Sequence, residues 1–313
     1  MLMVCGEALL DVFAAGDTPT GMTLEARVGG SPFNLAVGLA RLGQPVGFFS
    51  AVSTGFMGER LMHALRIEGV NTDAVLRIDA PATLSVVGLD AAGVPSYAFY
   101  GERGADRQLP LAALASVPGG IGAITAINVG SYATVVEPIA STLRALVERE
   151  RGHALIAYDP NIRLNVEPDL QRWRDQLTWM LPRTHLLKIS DEDLSLLQPG
   201  VALEHFARDA LAQGVKAVIV TRGAQGAVAW TAHSEASTPP VPVTVIDTVG
   251  AGDTFQAALL TWLAEHGALG ADALGALTAA QLHDALAFAA RAASITCSRR
   301  GADMPRRGEL QAL

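Results

Sequence analysis

The sequence is poor in charged residues, cysteine and long apolar runs, and each shortage excludes a class of protein. Only 17% of the 313 residues are charged, but half are apolar, so the chain can bury a large core and is neither disordered nor fibrous. The 23 lysines and arginines are outnumbered by 31 aspartates and glutamates, and no block of basic residues occurs. We therefore expect neither nucleic acid nor an anionic membrane as a partner.

Cysteine is almost absent, and no membrane or export signal is visible. Cys5 and Cys297 belong to no CxxC pair and have no histidine at metal-ligand spacing, and the seven histidines are scattered. No apolar run reaches the roughly 18 residues that a membrane span needs. The N-terminus lacks the basic segment of a secretory signal. These absences favour a reducing cytoplasm.

Short apolar runs alternate with helical patterns from about residue 120 onward, which is typical of βαβ units. We therefore predict an α/β fold of three layers, with a mostly parallel sheet between helices, as a single domain over 1–313. The predicted strands are 123–129, 154–158, 186–189 and 217–220, and the predicted helices are 32–42, 135–150, 253–266 and 281–295.

The first hundred residues have a different pattern. Two β-rich runs, 83–89 and 96–100, flank Ala92-Gly93 and predict a hairpin with a glycine-containing turn. We expect a small β-rich lid beside the main sheet, with strands from about 12–30 and 83–104. Such a lid would cover a cleft or pair with the sheet of a second subunit.

The segment 247–255, D-T-V-G-A-G-D-T-F, carries the clearest chemical signal. Gly250 and Gly252 allow a tight turn whose N–H groups point toward the positive end of the next helix, a position suited to a phosphate. Asp253 follows directly and is placed to accept a proton from a hydroxyl group. These are the two requirements of phosphoryl transfer to an alcohol.

A plainer interpretation exists for this segment. The glycines could form an ordinary loop, and Asp253 could be an acidic residue favoured by the helix dipole. Other nucleotide and hydrolase motifs fit less well, because the chain has neither a GxxxxGK[ST] loop nor a GxSxG elbow, and the segment lacks the third small residue of a Rossmann fingerprint.

The same segment resembles the second signature of the ribokinase-like carbohydrate kinases, the PfkB family. The resemblance extends over essentially the whole chain and includes Gly29 to Asn34, which are similar to the first signature, and Gly6 to Asp11. Within the family, the chain is most similar to bacterial fructokinases. That similarity depends on the motifs S-Y-A-F-Y (96–100), A-D-R (105–107), D-P-N-I-R (159–163) and K-I-S-D-E-D-L (188–194).

The resemblance implies a ribokinase-like fold and a role for each matching residue. Asp253 would be the catalytic base, and the N–H groups of Gly250, Ala251 and Gly252 would form the anion hole. Asp11 could otherwise be a turn residue, Asn34 a helix-start residue, and the lid aromatics a packing seam, and the pattern leaves open which lid face covers the sugar. The implied sugar-binding residues are Asp11, Gly30, Asn34, Tyr97, Phe99 and Arg163.

The nucleotide and metal positions match the family less closely. The family's magnesium-linked Asn-x-x-Glu corresponds here to Ser190 and Asp193, which favours at most an indirect role for Asp193 and also fits a helix-capping pair. Asp247 matches an aspartate that borders a potassium ion in some relatives. A hairpin turn is the plain interpretation of 221–226. The implied nucleotide-binding residues are Lys188, Ser190, Thr221, Gly223 and Gly226.

The expected activity is a fructokinase that moves the γ-phosphoryl group of MgATP to a sugar hydroxyl, with K⁺ as a further expected ion. A 2-keto-3-deoxygluconate kinase is the main alternative, although Glu102 stands close after the lid tyrosine Tyr100, where that acidic substrate needs a cation. Ribokinase or nucleoside kinase activity is a weaker alternative. A non-catalytic sugar sensor of the same fold is disfavoured by the intact Asp253. The lid also suggests a homodimer, by analogy alone.

Overall fold

A nine-stranded sheet forms the centre of the described protein. The computed structural model describes residues 1–89, 95–119 and 123–311. The strand order is β13-β12-β11-β10-β9-β8-β1-β4-β5, and all neighbours are parallel except at β12 and β13. These strands are β1 (Leu2–Cys5), β4 (Val46–Ser53), β5 (Val75–Ile78), β8 (Ala126–Gly130), β9 (Leu155–Asp159), β10 (Leu186–Ser190), β11 (Ala217–Thr221), β12 (Ala227–Trp230) and β13 (Glu235–Thr238).

A second sheet of four strands has the order β3-β2-β6-β7. Strands β2 and β6 are parallel, whereas β3 and β7 run antiparallel to their neighbours. The hairpin predicted at 83–100 is therefore confirmed by the pairing of β6 with β7, and its Ala92-Gly93 turn lies outside the described residues. The strands are β2 (Leu9–Thr18), β3 (Gly21–Gly29), β6 (Thr83–Leu89) and β7 (Pro95–Tyr100).

Helices cover both faces of the main sheet, and the alternation of side chains along each strand supplies two cores. In β1, Leu2 and Val4 pack with residues of α1, α2, α7 and α9, whereas Met3 and Cys5 pack with residues of α3 to α6. The helices are α1 (Ser31–Arg41), α2 (Phe56–Ile67), α3 (Ile139–Glu150), α4 (Leu170–Met180), α5 (Asp191–Leu197), α6 (Leu203–Ala212), α7 (Ala251–Glu265), α8 (Ala271–Gly275), α9 (Ala279–Cys297) and α10 (Arg307–Gln311).

The predicted three-layer fold with a parallel sheet and a small β sheet is confirmed, and its element boundaries shift by a few residues. The helix expected from 135 begins at Ile139, directly after Pro138, because proline is tolerated at a helix start but not inside it. The helix expected from Asp253 begins two residues earlier, at Ala251. The expectation of a single domain stays a prediction. Among the described residues, no helix is both long and apolar enough to cross a membrane.

Candidate active site

A cavity of about 690 Å³ lies where the carboxyl ends of β1, β8 and β9 face the small sheet. Ligands of parallel α/β sheets bind at this edge, because the chain turns there into loops and helix starts. The predicted residues Asp11, Gly30, Asn34, Phe99, Arg163, Gly250, Gly252 and Asp253 all line this cavity. The structure thus brings together eight positions that are up to 242 residues apart in the chain.

Asp253 is held rigidly at the start of α7 by two side chains of α1. The Ser31 hydroxyl donates to Asp253 Oδ1 at 2.6 Å, and Asn34 Nδ2 donates to Oδ2 at 2.9 Å. Burial raises the pKa of Asp253, and these two hydrogen bonds oppose the increase without cancelling it. The carboxylate is therefore oriented and is more basic than a free aspartate, as a proton acceptor requires.

Asn34 thus has a role beyond starting its helix, and Ser31 is a contact that the sequence analysis missed. The two α1 residues reach α7 because the helices approach closely at Gly38. A Cβ atom at Gly38 would lie 2.9 Å from that of Ala257. Side-chain spacing along α1 then presents Ser31 and Asn34, one turn apart, to the same carboxylate.

One of the three N–H groups expected to form the anion hole already has an acceptor within the protein. Gly250 adopts the left-handed conformation, with φ of 76°, and a Cβ there would lie 2.5 Å from that of Ala302, so only glycine fits. The Ala251 N–H already donates to Thr248 O at 3.2 Å. Within the described residues, the N–H groups of Gly250, Gly252 and Asp253 have no acceptor. These three N–H groups, rather than those of residues 250–252, are available to an anion.

Lys188 supplies a buried positive charge beside these N–H groups. Its Nζ lies 2.6 Å from Asp159 Oδ2, and it would be 3.3 Å from a Cβ atom placed on Gly252. Lys188 is 4% exposed, and its charge partly opposes the rise in pKa that burial causes at Asp253 and Asp193. An ammonium group has three N–H donors, so the bond to Asp159 leaves donors for a phosphate.

The lid contributes two aromatic side chains, Phe13 and Phe99, and one carboxylate, Asp11, to the cavity. Phe99 lines the cavity and packs edge-to-face on the Tyr132 ring at 6.0 Å, whereas Tyr100 is 64% exposed. The lid face that carries Phe99 is therefore the inner one, and the side chain of Tyr97 lies outside the described part of the chain. Burial raises the pKa of Asp11, with Ser85 and Arg163 opposing the increase and Asp253 adding to it.

The predicted nucleotide residues lie at the same edge of the sheet but on other strands. Ser190 ends β10 and pairs in register with Thr221 at the end of β11. Neither residue, nor Lys188, Gly223 or Gly226, lines the cavity described above. Only glycine fits at position 226, because a Cβ atom there would lie 2.0 Å from Thr238 O.

The helix-capping interpretation of Ser190 is confirmed. Its hydroxyl accepts the Asp193 N–H at 3.0 Å and caps α5. Burial raises the pKa of Asp193 to about 6, and the nearby Asp159 adds to this increase. The described residues contain no group of three or more histidine, cysteine or acidic side chains that could hold a metal. Asp193 and the unpartnered Oδ1 of Asp159 offer the oxygen ligands that a phosphate-bound, partly hydrated Mg²⁺ prefers.

Asp247 ties the glycine turn to the C-terminal segment. Its Oδ1 accepts the Val249 N–H at 3.0 Å, and its Oδ2 accepts the Gly301 N–H at 2.8 Å. These bonds hold Ala302 against Gly250, so Asp247 has a structural role that the sequence pattern does not express. Its potassium role stays a prediction.

Among the polar cavity residues that have no predicted role, three share one feature. Glu7, Ser131 and Asn161 line the cavity, and each has a buried polar atom without a partner among the described residues. The carboxyl group of Glu7 is 1% exposed, and burial raises its pKa to about 7. The cavity is thus bordered by three carboxyl groups, from Glu7, Asp11 and Asp253, and by one cation, Arg163.

Comparisons with known proteins show which family the chain is similar to. Residues 1–307 match the model of the pfkB family carbohydrate kinases. The fructokinase of Rhizobium leguminosarum bv. trifolii is 35% identical over 265 residues, which are 84% of this chain and 79% of that protein. The fructokinase of Klebsiella pneumoniae is 32% identical over 278 residues, 85% of each chain.

Solved structures of similar proteins extend the match to the whole fold. The fructokinase of Vibrio cholerae O395 in fructose, ADP and calcium ion bound form is 25% identical, with a TM-score of 0.83, over 99% of this chain and 97% of that one. The fructokinase of Xylella fastidiosa with bound ATP shares the fold, with a TM-score of 0.86 at 24% identity and with 99% and 97% of the two chains covered. The chain therefore belongs to the pfkB family of carbohydrate kinases.

Proposed function

We propose that this protein transfers the γ-phosphoryl group of ATP to a hydroxyl group of fructose. The observation that carries the proposal is Asp253, whose carboxylate is fixed by Ser31 and Asn34 beside unpartnered N–H groups and lines a cavity of about 690 Å³ that has room for a sugar. The names of the curated relatives and the fructose-bound Vibrio structure support fructose as the acceptor.

The chemical step follows from the positions of these groups. Asp253 takes the proton of the sugar hydroxyl as its oxygen forms a bond to the γ-phosphorus, while the bond from that phosphorus to the leaving ADP oxygen breaks. The N–H groups of Gly250, Gly252 and Asp253 and the Lys188 ammonium stabilise the charge on the phosphoryl oxygens. Asp159 and Asp193 would hold Mg²⁺, which would neutralise phosphate charge when bound.

The charge of the cavity supports an uncharged sugar over a sugar acid. Glu7, Asp11 and Asp253 would repel a substrate carboxylate, and Arg163 is the single basic residue among the residues that line the cavity. A 2-keto-3-deoxygluconate kinase would need a cationic surplus there. Arg163 can pair with the carboxylate of an acidic sugar, so 2-keto-3-deoxygluconate is included among the acceptors tested below.

An assay of ADP release with the purified full chain tests the function. The acceptors are fructose, 2-keto-3-deoxygluconate, ribose, mannose and adenosine, each with ATP and with or without Mg²⁺ and K⁺. We expect the highest kcat/KM with fructose and no turnover without Mg²⁺. A higher kcat/KM with the sugar acid, or no turnover with any acceptor, would overturn the proposal.

We further propose a homodimer formed through the small sheet. Its edge strand β3 exposes Met22 and Leu24, which are 62% and 52% exposed, and an unpaired apolar edge is suited to pairing with a second copy. Sedimentation at micromolar concentration should give a dimer, and a monomer would remove the idea. The cytoplasmic location expected from the sequence stays a prediction.

A further inference from the structure

One wall of the cavity consists of polar groups that the phosphoryl-transfer step does not use. Glu7 Oε2, Ser131 Oγ and Asn161 Nδ2 are buried and make no hydrogen bond within 3.5 Å among the described residues, although the Ser131 side chain is near enough to the Glu7 carboxyl group to oppose the rise of its pKa. All three residues line the same 690 Å³ cavity. An unsatisfied buried polar group costs about 1–3 kcal/mol, so three on one wall indicate a ligand that supplies their partners.

The strand order explains why these residues meet. Glu7 follows β1, Ser131 follows β8, and Asn161 follows β9, and these are adjacent strands in the order β9-β8-β1. Because all three strands are parallel, their carboxyl ends lie at one edge of the sheet. The three side chains therefore form a continuous wall, which we call the strand-end wall.

The backbone of the strand-end wall is also unusual. Ser131 and Asn161 are the described non-glycine residues with positive φ, at 54° and 42°. This conformation is costly for residues with a side chain, and such strain clusters at ligand sites. Glycine would adopt it more easily at both positions, so the side chains, rather than the turns, account for the residues present.

Glu7 is held firmly in place within this wall. A Cβ atom on Gly30 would lie 3.0 Å from Glu7 O and 3.4 Å from its Cγ, so the glycine allows the close approach of the two segments. The carboxyl group faces Ser131, Asp106 on the turn 105–107, and Arg163 beyond β9, and its charge also acts on Tyr132. The Asp106 carboxylate already accepts from the Thr83 hydroxyl at 2.5 Å and from the Tyr132 hydroxyl at 2.8 Å.

We infer that Glu7, Ser131 and Asn161 bind the sugar hydroxyls that are not phosphorylated, and that Glu7 selects an uncharged sugar against a sugar acid. The inference rests on the proposed kinase function and names residues that decide its substrate. Asn161 Nδ2 donates to a sugar oxygen, Ser131 donates or accepts, and the Glu7 carboxylate accepts from a hydroxyl. Its negative charge repels a substrate carboxylate at the same place.

The first test compares Glu7→Gln with Glu68→Gln, a control in which a glutamate is changed away from this cavity. Glu7→Gln should lower kcat/KM for fructose by about 10- to 100-fold, mainly through KM, because a charge-assisted hydrogen bond is lost. The preference for fructose over 2-keto-3-deoxygluconate should fall by at least about 10-fold. The KM for ATP should be unchanged, and Glu68→Gln should alter none of these values.

The pH dependence provides a readout that a purely structural role would not produce. The pKa of Glu7 is raised to about 7, mainly by burial and to a smaller extent by the charge of Asp106. Ser131 and Arg163 oppose this increase. An ionised Glu7 accepts a hydroxyl more strongly, so the fructose KM of the wild type should fall as pH rises from 6 to 8. Because glutamine does not titrate, the KM ratio of Glu7→Gln to wild type should rise over the same range.

Two further variants keep the test independent of Glu7 folding effects. Ser131→Gly and Asn161→Gly are compatible with the positive φ of these two residues and remove a hydroxyl and an amide donor without adding a charge. Each should raise the fructose KM by about 5- to 50-fold without lowering Tm. If the wild type is active and all three variants keep its fructose KM and sugar preference, the strand-end wall does not bind the sugar. The proposed kinase function would still hold in that case. An inactive wild type would instead overturn the proposed function.

Discussion

The buried acids of the cleft and the paired acids near the C-terminus have opposite electrostatic surroundings. In the cleft, burial raises the pKa values of Glu7, Asp11 and Asp253, and hydrogen bonds and Arg163 only partly offset the increase. At the C-terminal ion network, partial burial raises the pKa of Glu68, but hydrogen bonds and charges of Arg41 and Arg306 outweigh it and leave the pKa below its usual value. The network comprises Arg41, Glu68, Arg299, Asp303, Arg306 and Glu309.

This difference separates groups that serve a ligand from groups that serve the fold. A carboxyl group with a raised pKa binds its proton more tightly in the folded state, so its effect makes the free energy of unfolding fall as pH rises through that pKa. A carboxyl group with a lowered pKa has the reverse effect, and its stabilisation is lost as pH falls. The buried carboxyl groups of the cleft therefore lower the free energy of unfolding at neutral pH, but they leave polar groups that a substrate can bind.

Removal of the Asp253 charge should have the largest effect. Asp253→Asn should lower kcat at least ~10³-fold, because the general base is lost, while ATP binding persists. ADP release measures the first effect, and the shift of Tm on addition of ATP measures the second. In the wild type, kcat should fall as pH drops through the raised pKa of Asp253, since only the ionised carboxylate accepts a proton. Near-normal turnover of the variant would refute the assignment.

Loss of the Lys188 charge should come next in size. Lys188→Met should lower kcat by about 10²-fold with little change in the fructose KM, because the ammonium group acts on the phosphoryl oxygens. The single variant also leaves Asp159 buried without its partner, so Lys188→Met with Asp159→Asn is the matched control. Full recovery of kcat in the double variant would mean that Lys188 only neutralises Asp159.

Stability should change in opposite directions in the two regions. At pH 8, Glu7→Gln should raise the free energy of unfolding by about 2 kcal/mol, because a buried ionised group is removed. Glu68→Gln should lower it by about 1 kcal/mol, because Arg41 and Arg306 lose their shared partner. Urea unfolding at pH 5 and pH 8 measures both, and the gain at Glu7 should shrink at pH 5. A loss of stability at both sites would contradict the comparison.

Those parts of the site that are formed by neighbouring residues could be predicted from the sequence. The run from Gly250 to Asp253 predicts a glycine turn, a helix start and a carboxylate together, because all three follow from neighbouring residues. The alternation of strands and helices likewise predicts a buried parallel sheet. Both expectations agree with the structure of β8 to β11 and α7.

The other parts depend on which strands become neighbours, and sequence order does not state this. Ser31 reaches Asp253 across 222 positions because α1 packs on α7 at Gly38. Glu7 meets Ser131 because β8 pairs with β1, although β2 to β7 lie between them in the chain. The sequence gives no sign of the positive φ at Ser131 and Asn161, since neither residue is glycine. The sequence thus shows the chemistry of these side chains, but not which of them meet in the folded protein.

The smallest effect is expected at Asp303, where exposure limits the strength of an ion pair. Its carboxylate lies 2.9 Å from Arg41 and 3.6 Å from Arg299, but the side chain is 53% exposed, so water and salt screen both contacts. Asp303→Asn should therefore lower the free energy of unfolding by no more than about 0.5 kcal/mol, and 1 M salt should remove the difference from the wild type. Urea unfolding at low and high salt measures it. A loss as large as that of Glu68→Gln would mean that the network acts as a cooperative unit, in which exposure of one member does not set its contribution.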